Sequence, residues 1–215
     1  MNKTAIIVLG ILIIGVIVIT SFAFRSNKKT NSPQSNLAQS DGVKGTTMNQ
    51  TPSQTSNAKL SFPGKLPADQ IDNKKAVIKT DKGTIEITLW ADKAPLTVSN
   101  FVYLANKGFY NGLTFHRVEP DFVVQGGDPN GNGTGGPGYK FQDEPVQGNY
   151  TQGTVAMANS GPNTNGSQFF IDLADNSQKL TKSYNLFGEV TSGMDVVQKL
   201  VVGDKMNSVK IVSSK

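Results

Sequence analysis

Eight short strand-like runs, separated by turns rich in Gly, Pro and Asn, narrow the folds open to this chain more than any other feature of its sequence. Ala76–Thr80 and Thr84–Leu89 flank Asp81-Lys82-Gly83 and read as a hairpin. In the second run Ile85, Ile87 and Leu89 alternate with Thr84, Glu86 and Thr88, the period of a strand buried on one face. Thr114–Val118, Phe122–Gly126, Thr154–Ala158, Gln168–Leu173, Asn185–Val190 and Ser208–Val212 complete the set. Two segments carry a helical period instead. Over 95–107, Pro95 suits the first turn, Val98, Phe101, Val102 and Ala105 form an apolar face, and Gly108 ends the helix. Over 193–200, Ser192 and Asp195 read as a capping box ahead of Val197 and Leu200. The pattern predicts a mainly β fold, a sandwich or a closed barrel, with two amphipathic helices over the barrel's open ends.

Two segments precede this domain, which is expected to run over 69–215. Ala5 to Phe24 is apolar apart from Gly10, Gly15, Thr20 and Ser21. Such a run spans about 30 Å as a helix, the thickness of a bilayer core. Residues 1–24 are therefore expected to be a membrane-spanning signal-anchor, with membrane contact through residues 5–24. Ser21-Phe22-Ala23 also fits a signal-peptidase site, and cleavage after Ala23 would make the protein secreted. Flanking charge, Lys3 against Arg25, Lys28 and Lys29, weakly favours a cytoplasmic C-terminus. A first apolar segment behind a short N-terminus nonetheless acts commonly as a signal. The expectation is a single-pass cell-membrane protein with its domain outside the cytoplasm. Residues 25–68, typified by SNKKTNSPQSN and NQTPSQTSN, bury too little apolar surface to fold and read as a disordered tether.

Charge and composition exclude several chemistries. The net charge of +5 divides into seven basic residues and one acid over 1–68, and 14 basic and 15 acidic residues thereafter. The folded part is thus close to neutral, and nucleic-acid binding is not expected. The chain has no Cys and one His, so disulfides, thiolate zinc sites and Cys nucleophiles are absent. GNGTGG at 131–136 has the spacing of a dinucleotide loop, but Pro137-Gly138 follows where a helix should open. His116 lacks partners at ligand or triad spacing and reads as structural. Asp143-Glu144 and the Glu119/Asp121 pair read as solvated turn residues beside prolines, and Trp90 as core. No metal or cofactor is expected.

Two stretches remain that carry chemistry. FHRVEPDFVVQGGD at 115–128 sets Arg117 close to Phe122, Val123 and Gln125, a cation and an amide beside apolar walls. TVAMANSGPNTNGSQFFI at 154–171 ends a strand in a polar loop and opens another on Gln168, Phe169 and Phe170, with Gln168 and Phe170 on one face. Together they suggest a site that binds and polarises a neutral group. The bland alternative pairs Arg117 with Gln168 for structure alone.

These stretches, with GNGTGG and LFGEV at 186–190, resemble the cyclophilins, peptidyl-prolyl cis–trans isomerases, over about residues 74–212. The resemblance implies a closed eight-stranded antiparallel barrel capped by two helices, and proline-containing polypeptides as substrates. It implies that Arg117 is the catalytic arginine, with Phe122 at the proline ring and Gln125 positioning arginine and substrate. Val123, Phe170 and Leu180 would complete the proline pocket. Gly133, Ala158, Asn159, Ser160 and Gln168 would line the groove for residues before the proline. Tyr184 falls where many members carry His, Val123 where eukaryotic members carry Met, and Lys179 where a Trp often sits. That last departure withholds any expectation of cyclosporin binding. A monomer is expected. The competing functions are a non-catalytic peptide-binding module of the same fold and a hydrolase using Ser160 or Ser167 with His116.

Overall fold

The structure is a computed structural model that describes residues 60–214 of the 215. The expected span at 5–24 and most of the expected tether lie outside the described residues. Among the described residues no helix is long and apolar enough to cross a membrane.

Strands β1 (Lys74–Thr80), β2 (Gly83–Leu89), β3 (Phe115–Glu119), β4 (Val123–Gly126), β5 (Thr154–Met157), β6 (Phe169–Asp172), β7 (Leu186–Ser192) and β8 (Ser208–Ser213) form one sheet in the order β3-β4-β6-β5-β7-β2-β1-β8. Every pairing is antiparallel. Each expected strand is present within a few residues of its expected ends. The β1–β2 hairpin turns at Asp81-Lys82, where the Lys82 N–H donates to Thr80 Oγ1 at 3.1 Å.

The sheet does not close as a strand ladder. β3 and β8 stand at its two ends. They are bridged by the segments just before each strand, through the isolated pair Thr114–Lys205 and the bonds Phe115 N–H to Asp204 O and Met206 N–H to Leu113 O, both 2.8 Å.

Alternation along the strands splits the buried residues into two clusters. Val124, Val155, Met157, Phe169, Ile171 and Phe187 face inward and pack with Ile78, Ile85, Ile87, Phe101, Leu104 and Phe115. Their neighbours Val123, Ala156, Phe170 and Leu186 face outward and pack with Tyr150 in a second, smaller cluster. That outer cluster is the floor of the candidate site.

Helix α2 (Pro95–Asn106) covers one side of the inner core with Val98, Phe101, Val102 and Ala105, as its period implies. Its cap comes from far away in sequence. The Glu144 carboxylate accepts from the N–H groups of Leu96 and Thr97, each at 2.8 Å, and from Thr97 Oγ1 at 2.6 Å. Glu144 is therefore not the solvated turn residue expected; it is buried, and its charge meets the positive end of the helix.

The second helix, α3 (Met194–Val197), is shorter than expected and lacks the capping box. Ser192 is the last residue of β7, paired with Glu86, and Gly193 takes the cap position at φ 83° with no side-chain cap. Asp195 instead lies 3.2 Å from Lys199. Sheet pairing has claimed the backbone that the helix would have used.

A further short helix, α1 (Ala68–Ile71), and the residues before it were not anticipated. Leu60, Phe62 and Leu66 fall within the segment read as tether but pack on the inner core. The Phe62 ring stacks on Phe141 at 4.9 Å and lies 6.0 Å from Tyr139. A tether judged by its average composition conceals three apolar residues at its end.

Candidate active site

One row of the sheet builds the site. Arg117 pairs with Gln125, Gln125 with Phe170, Phe170 with Ala156, and Ala156 with Leu186. Directly paired residues share a face, so the row runs across the outer surface of four adjoining strand pairs.

Strict alternation would not have placed Arg117 there. Phe115, two residues earlier, is fully buried in the inner core. The register shifts between Phe115 and Arg117, which pair with the consecutive residues Gly126 and Gln125. His116 is the extra residue of this bulge. The insertion reverses the facing, keeping Phe115 inside while Arg117 points out, a use of bulges that re-aims side chains beside functional sites. Both ring nitrogens of His116 are buried without a hydrogen-bond partner. Burial lowers its pKa; Asp128 opposes this and Arg117 adds to it, so the ring stays neutral near pH 7.

Polar groups then run in a chain. Arg117 Nη1 donates to Gln125 Oε1 at 3.2 Å, and Gln125 Nε2 donates to Gln168 Oε1 at 2.9 Å. Gln168 Nε2 donates to the carbonyls of Gly133 and Gly135 at 3.0 and 2.9 Å. Arg117 and Gln168 are thus joined through Gln125 rather than directly. On its other edge Arg117 donates through Nε and Nη2 to Glu119 Oε1. That carboxylate is half exposed, not buried, and was not among the anticipated site residues.

The apolar side lies next to this chain. The Arg117 guanidinium carbon sits 5.6 Å from the Phe122 ring centre. Val123 and Phe170 form the floor, with Phe122, Leu180 and Tyr184 packed against it. The Tyr184 ring meets Phe170 edge-on at 5.6 Å. Phe122 is fixed through its carbonyl, which accepts from Asn176 Nδ2 and from the Leu173 N–H, both at 2.8 Å. Lys179, where a Trp was the family expectation, lies 5.8 Å from the Phe122 ring centre.

Beside Gln125 and Gln168 opens a groove of about 890 Å³. Gly133, Ala158, Asn159 and Ser160 line it, together with Tyr139, Lys140 and Thr164, which are not among the groove residues the sequence suggests. Arg117, Phe122, Val123, Phe170, Leu180 and Tyr184 adjoin this groove without lining it. Asp128 shapes its outer loop by accepting from the N–H groups of Asn130, Asn132 and Gly133. Burial acts to raise the Asp128 pKa, but these donors, with His116, hold it below its ordinary value. Gly135 must be glycine here, because a Cβ would overlap Asp128 Oδ1. The glycines of GNGTGG thus serve a folded carboxylate-centred loop and not a phosphate.

The hydrolase alternative finds no support. Ser167 Oγ donates to the Gly127 carbonyl at 2.6 Å, and His116 reaches neither serine. Among the described residues no group of three or more His, Asp or Glu is placed to hold a metal ion. The arrangement instead offers an apolar recess with a cation held beside it, and a groove joined to that cation through Gln125 and Gln168.

Comparison with known proteins decides the family. The family model described as cyclophilin type peptidyl-prolyl cis-trans isomerase/CLD matches residues 75–215. The chain belongs to the cyclophilin-type peptidyl-prolyl cis–trans isomerases. A peptidyl-prolyl cis-trans isomerase of Synechococcus elongatus is 47% identical over 141 residues, covering 65% of this chain and 97% of the relative. Peptidyl-prolyl cis-trans isomerase B of Bacillus subtilis is 47% identical over 134 residues, covering 61% and 92%. Among solved structures, a Cryptosporidium parvum cyclophilin-type isomerase superposes with a TM-score of 0.61 at 31% identity, covering 65% of this chain and 98% of the other. The same cyclophilin crystallised in the presence of the dipeptide Ala-Pro matches with a TM-score of 0.56.

Proposed function

We propose that this cyclophilin accelerates X-Pro rotation through Arg117, with the proline ring seated on Phe122, Val123, Phe170, Leu180 and Tyr184. The residues before the proline lie along Gly133, Ala158, Asn159, Ser160 and Gln168, and Gln125 orients arginine and substrate. The observation that carries this reading is the Arg117–Gln125–Phe170 row, with the guanidinium 5.6 Å from the Phe122 ring centre.

The chemistry follows from the amide bond. Resonance sets a rotational barrier of about 18–20 kcal/mol. In the twisted transition state the prolyl nitrogen regains its lone pair, and a donor aimed at that lone pair stabilises the twisted form more than the planar one. Such differential binding lowers the barrier, tenfold in rate for every ~1.4 kcal/mol. A guanidinium keeps its charge at all physiological pH, and an apolar wall strengthens its field. No bond is broken, so the reaction calls for no nucleophile, general base or metal.

A proline-containing peptide substrate is supported by the Cryptosporidium relative crystallised in the presence of the dipeptide Ala-Pro. Residues 5–24 would tether the monomeric enzyme to the membrane with its domain on the extracytoplasmic side, where it would act on exported chains as they fold. Cleavage after Ala23 would release it. Protease treatment of intact cells, with the mass of the mature N-terminus, tests both: a protected domain would refute the outward placement.

The test of the site is cis–trans exchange measured on a proline peptide. Arg117→Ala should lose at least about a hundredfold in kcat/KM, roughly 2.7 kcal/mol of transition-state stabilisation, with its circular dichroism unchanged. A folded variant with full turnover would refute the role of Arg117, whereas an unaltered chain that binds the peptide without speeding exchange would establish the non-catalytic peptide-binding module.

A further inference from the structure

We infer that Glu119 is a positioning residue for the arginine of this site, fixing the guanidinium so that its free donors are presented to the prolyl nitrogen. The inference rests on the reading of Arg117 given above and deepens it. A guanidinium carries five N–H groups. Two of them, on Nε and Nη2, donate to Glu119 Oε1 at 2.9 and 2.7 Å, and one on Nη1 donates to Gln125 Oε1 at 3.2 Å. One hydrogen on each terminal nitrogen is left over, and the group lies 5.6 Å from the Phe122 ring centre.

The backbone explains why Glu119 can do this. Arg117 pairs with Gln125 and Glu119 with Val123, so all four side chains share the outer face of β3 and β4. Gln125 alone would hold the guanidinium at one nitrogen and leave the group free to swivel. Glu119 grips the opposite edge and fixes the plane.

An ion pair this exposed adds little to folding: the two side chains are 42% and 52% exposed. Its effect is therefore expected in the orientation of the donors, where preorganisation governs rate. No other carboxylate among the described residues bridges to Arg117.

The test uses the full chain in detergent. Exchange on a proline peptide gives kcat, peptide titration gives affinity, and the arginine Nε–H resonances report the guanidinium directly. The chain contains only Arg25 and Arg117, so the Arg117 resonance is assigned by its loss in Arg117→Ala. Glu119→Ala should lower kcat about fivefold with peptide affinity within about twofold, and should speed exchange of the Arg117 Nε–H with water. Glu119→Gln, which keeps an oxygen at the same reach, should recover most of the lost kcat and slow that exchange again. An undiminished kcat in Glu119→Ala, or a loss confined to affinity, would overturn the inference. So would a lower kcat that Gln fails to recover. Full turnover in Arg117→Ala would overturn the assignment of Arg117 itself, a separate result obtained in the same assay.

Discussion

Asp172 is completely buried at the end of β6, directly opposite Val123 in the register and one hydrogen bond from the residue that anchors Phe122. Its Oδ2 lies 2.7 Å from Thr154 Oγ1, which also lies 2.8 Å from the Thr151 carbonyl. A hydroxyl has one hydrogen and cannot serve both acceptors. A proton on Asp172 resolves the conflict, since the acid can donate to Thr154 while Thr154 donates to Thr151. Burial raises the Asp172 pKa to about 6, against the hydrogen bonds from Asn176 and Thr154, which lower it. The folded state therefore holds this proton more tightly than the unfolded chain does. The stabilisation is fully present below the ordinary carboxylate value and is lost as pH rises through about 6. Denaturant titrations between pH 4 and 7 should show this contribution falling by roughly 2 kcal/mol. Asp172→Asn, whose amide can make the same donor and acceptor contacts as the neutral acid, should flatten that slope. An unchanged slope in the Asn variant would place the titration elsewhere.

At the scale of elements, α2 starts without a capping side chain of its own: Ala94 holds the cap position and Pro95 follows. The charge that belongs there arrives with Glu144, itself fixed by its N–H to Asn185 Oδ1 at 3.0 Å, while Asn185 Nδ2 donates to Thr97 Oγ1 at 2.9 Å. Three segments distant in sequence meet in this buried network. Glu144→Ala should destabilise the domain by roughly 2–3 kcal/mol, because it leaves buried helix-end donors unsatisfied. Thermal unfolding measures this, and a loss below about 0.5 kcal/mol would mean that water replaces the carboxylate at no cost. β3 is the second element whose behaviour depends on its surroundings. Its sequence reads as an ordinary strand, but the bulge at His116 decides which face Arg117 takes.

At the scale of the whole molecule, the folded unit begins earlier than its family-like part. The family match starts at residue 75, whereas Leu60, Phe62 and Leu66 already pack on the core, and the Leu66 N–H donates to Ser99 Oγ at 2.9 Å. Phe62 lies behind Tyr139 and Phe141, and Tyr139 lines the groove while donating to Asn100 Oδ1 at 2.7 Å. Phe62→Ala should cost roughly 1–2 kcal/mol of stability. It should also weaken peptide binding in the groove more than it slows turnover at saturation, because it loosens the Tyr139 wall and leaves Arg117 untouched. Unfolding with the lone Trp90 as probe, together with peptide titration, separates the two effects.

The sequence by itself determined the strand inventory, helix α2 and the two stretches that build the candidate site. These depend on local period, on turn residues and on motifs whose partners sit close along the chain. Tertiary structure decided the rest. Whether Arg117 faced the core or the solvent depended on a register shift against β4, which no pattern within β3 records. Whether Glu144 was a turn residue or a helix cap depended on a helix that starts about 48 residues earlier in the chain. Ser192 had two competing local uses, and the ladder with β2 took it. In each case the deciding energy is a contact between residues far apart in sequence, and local pattern has no access to it.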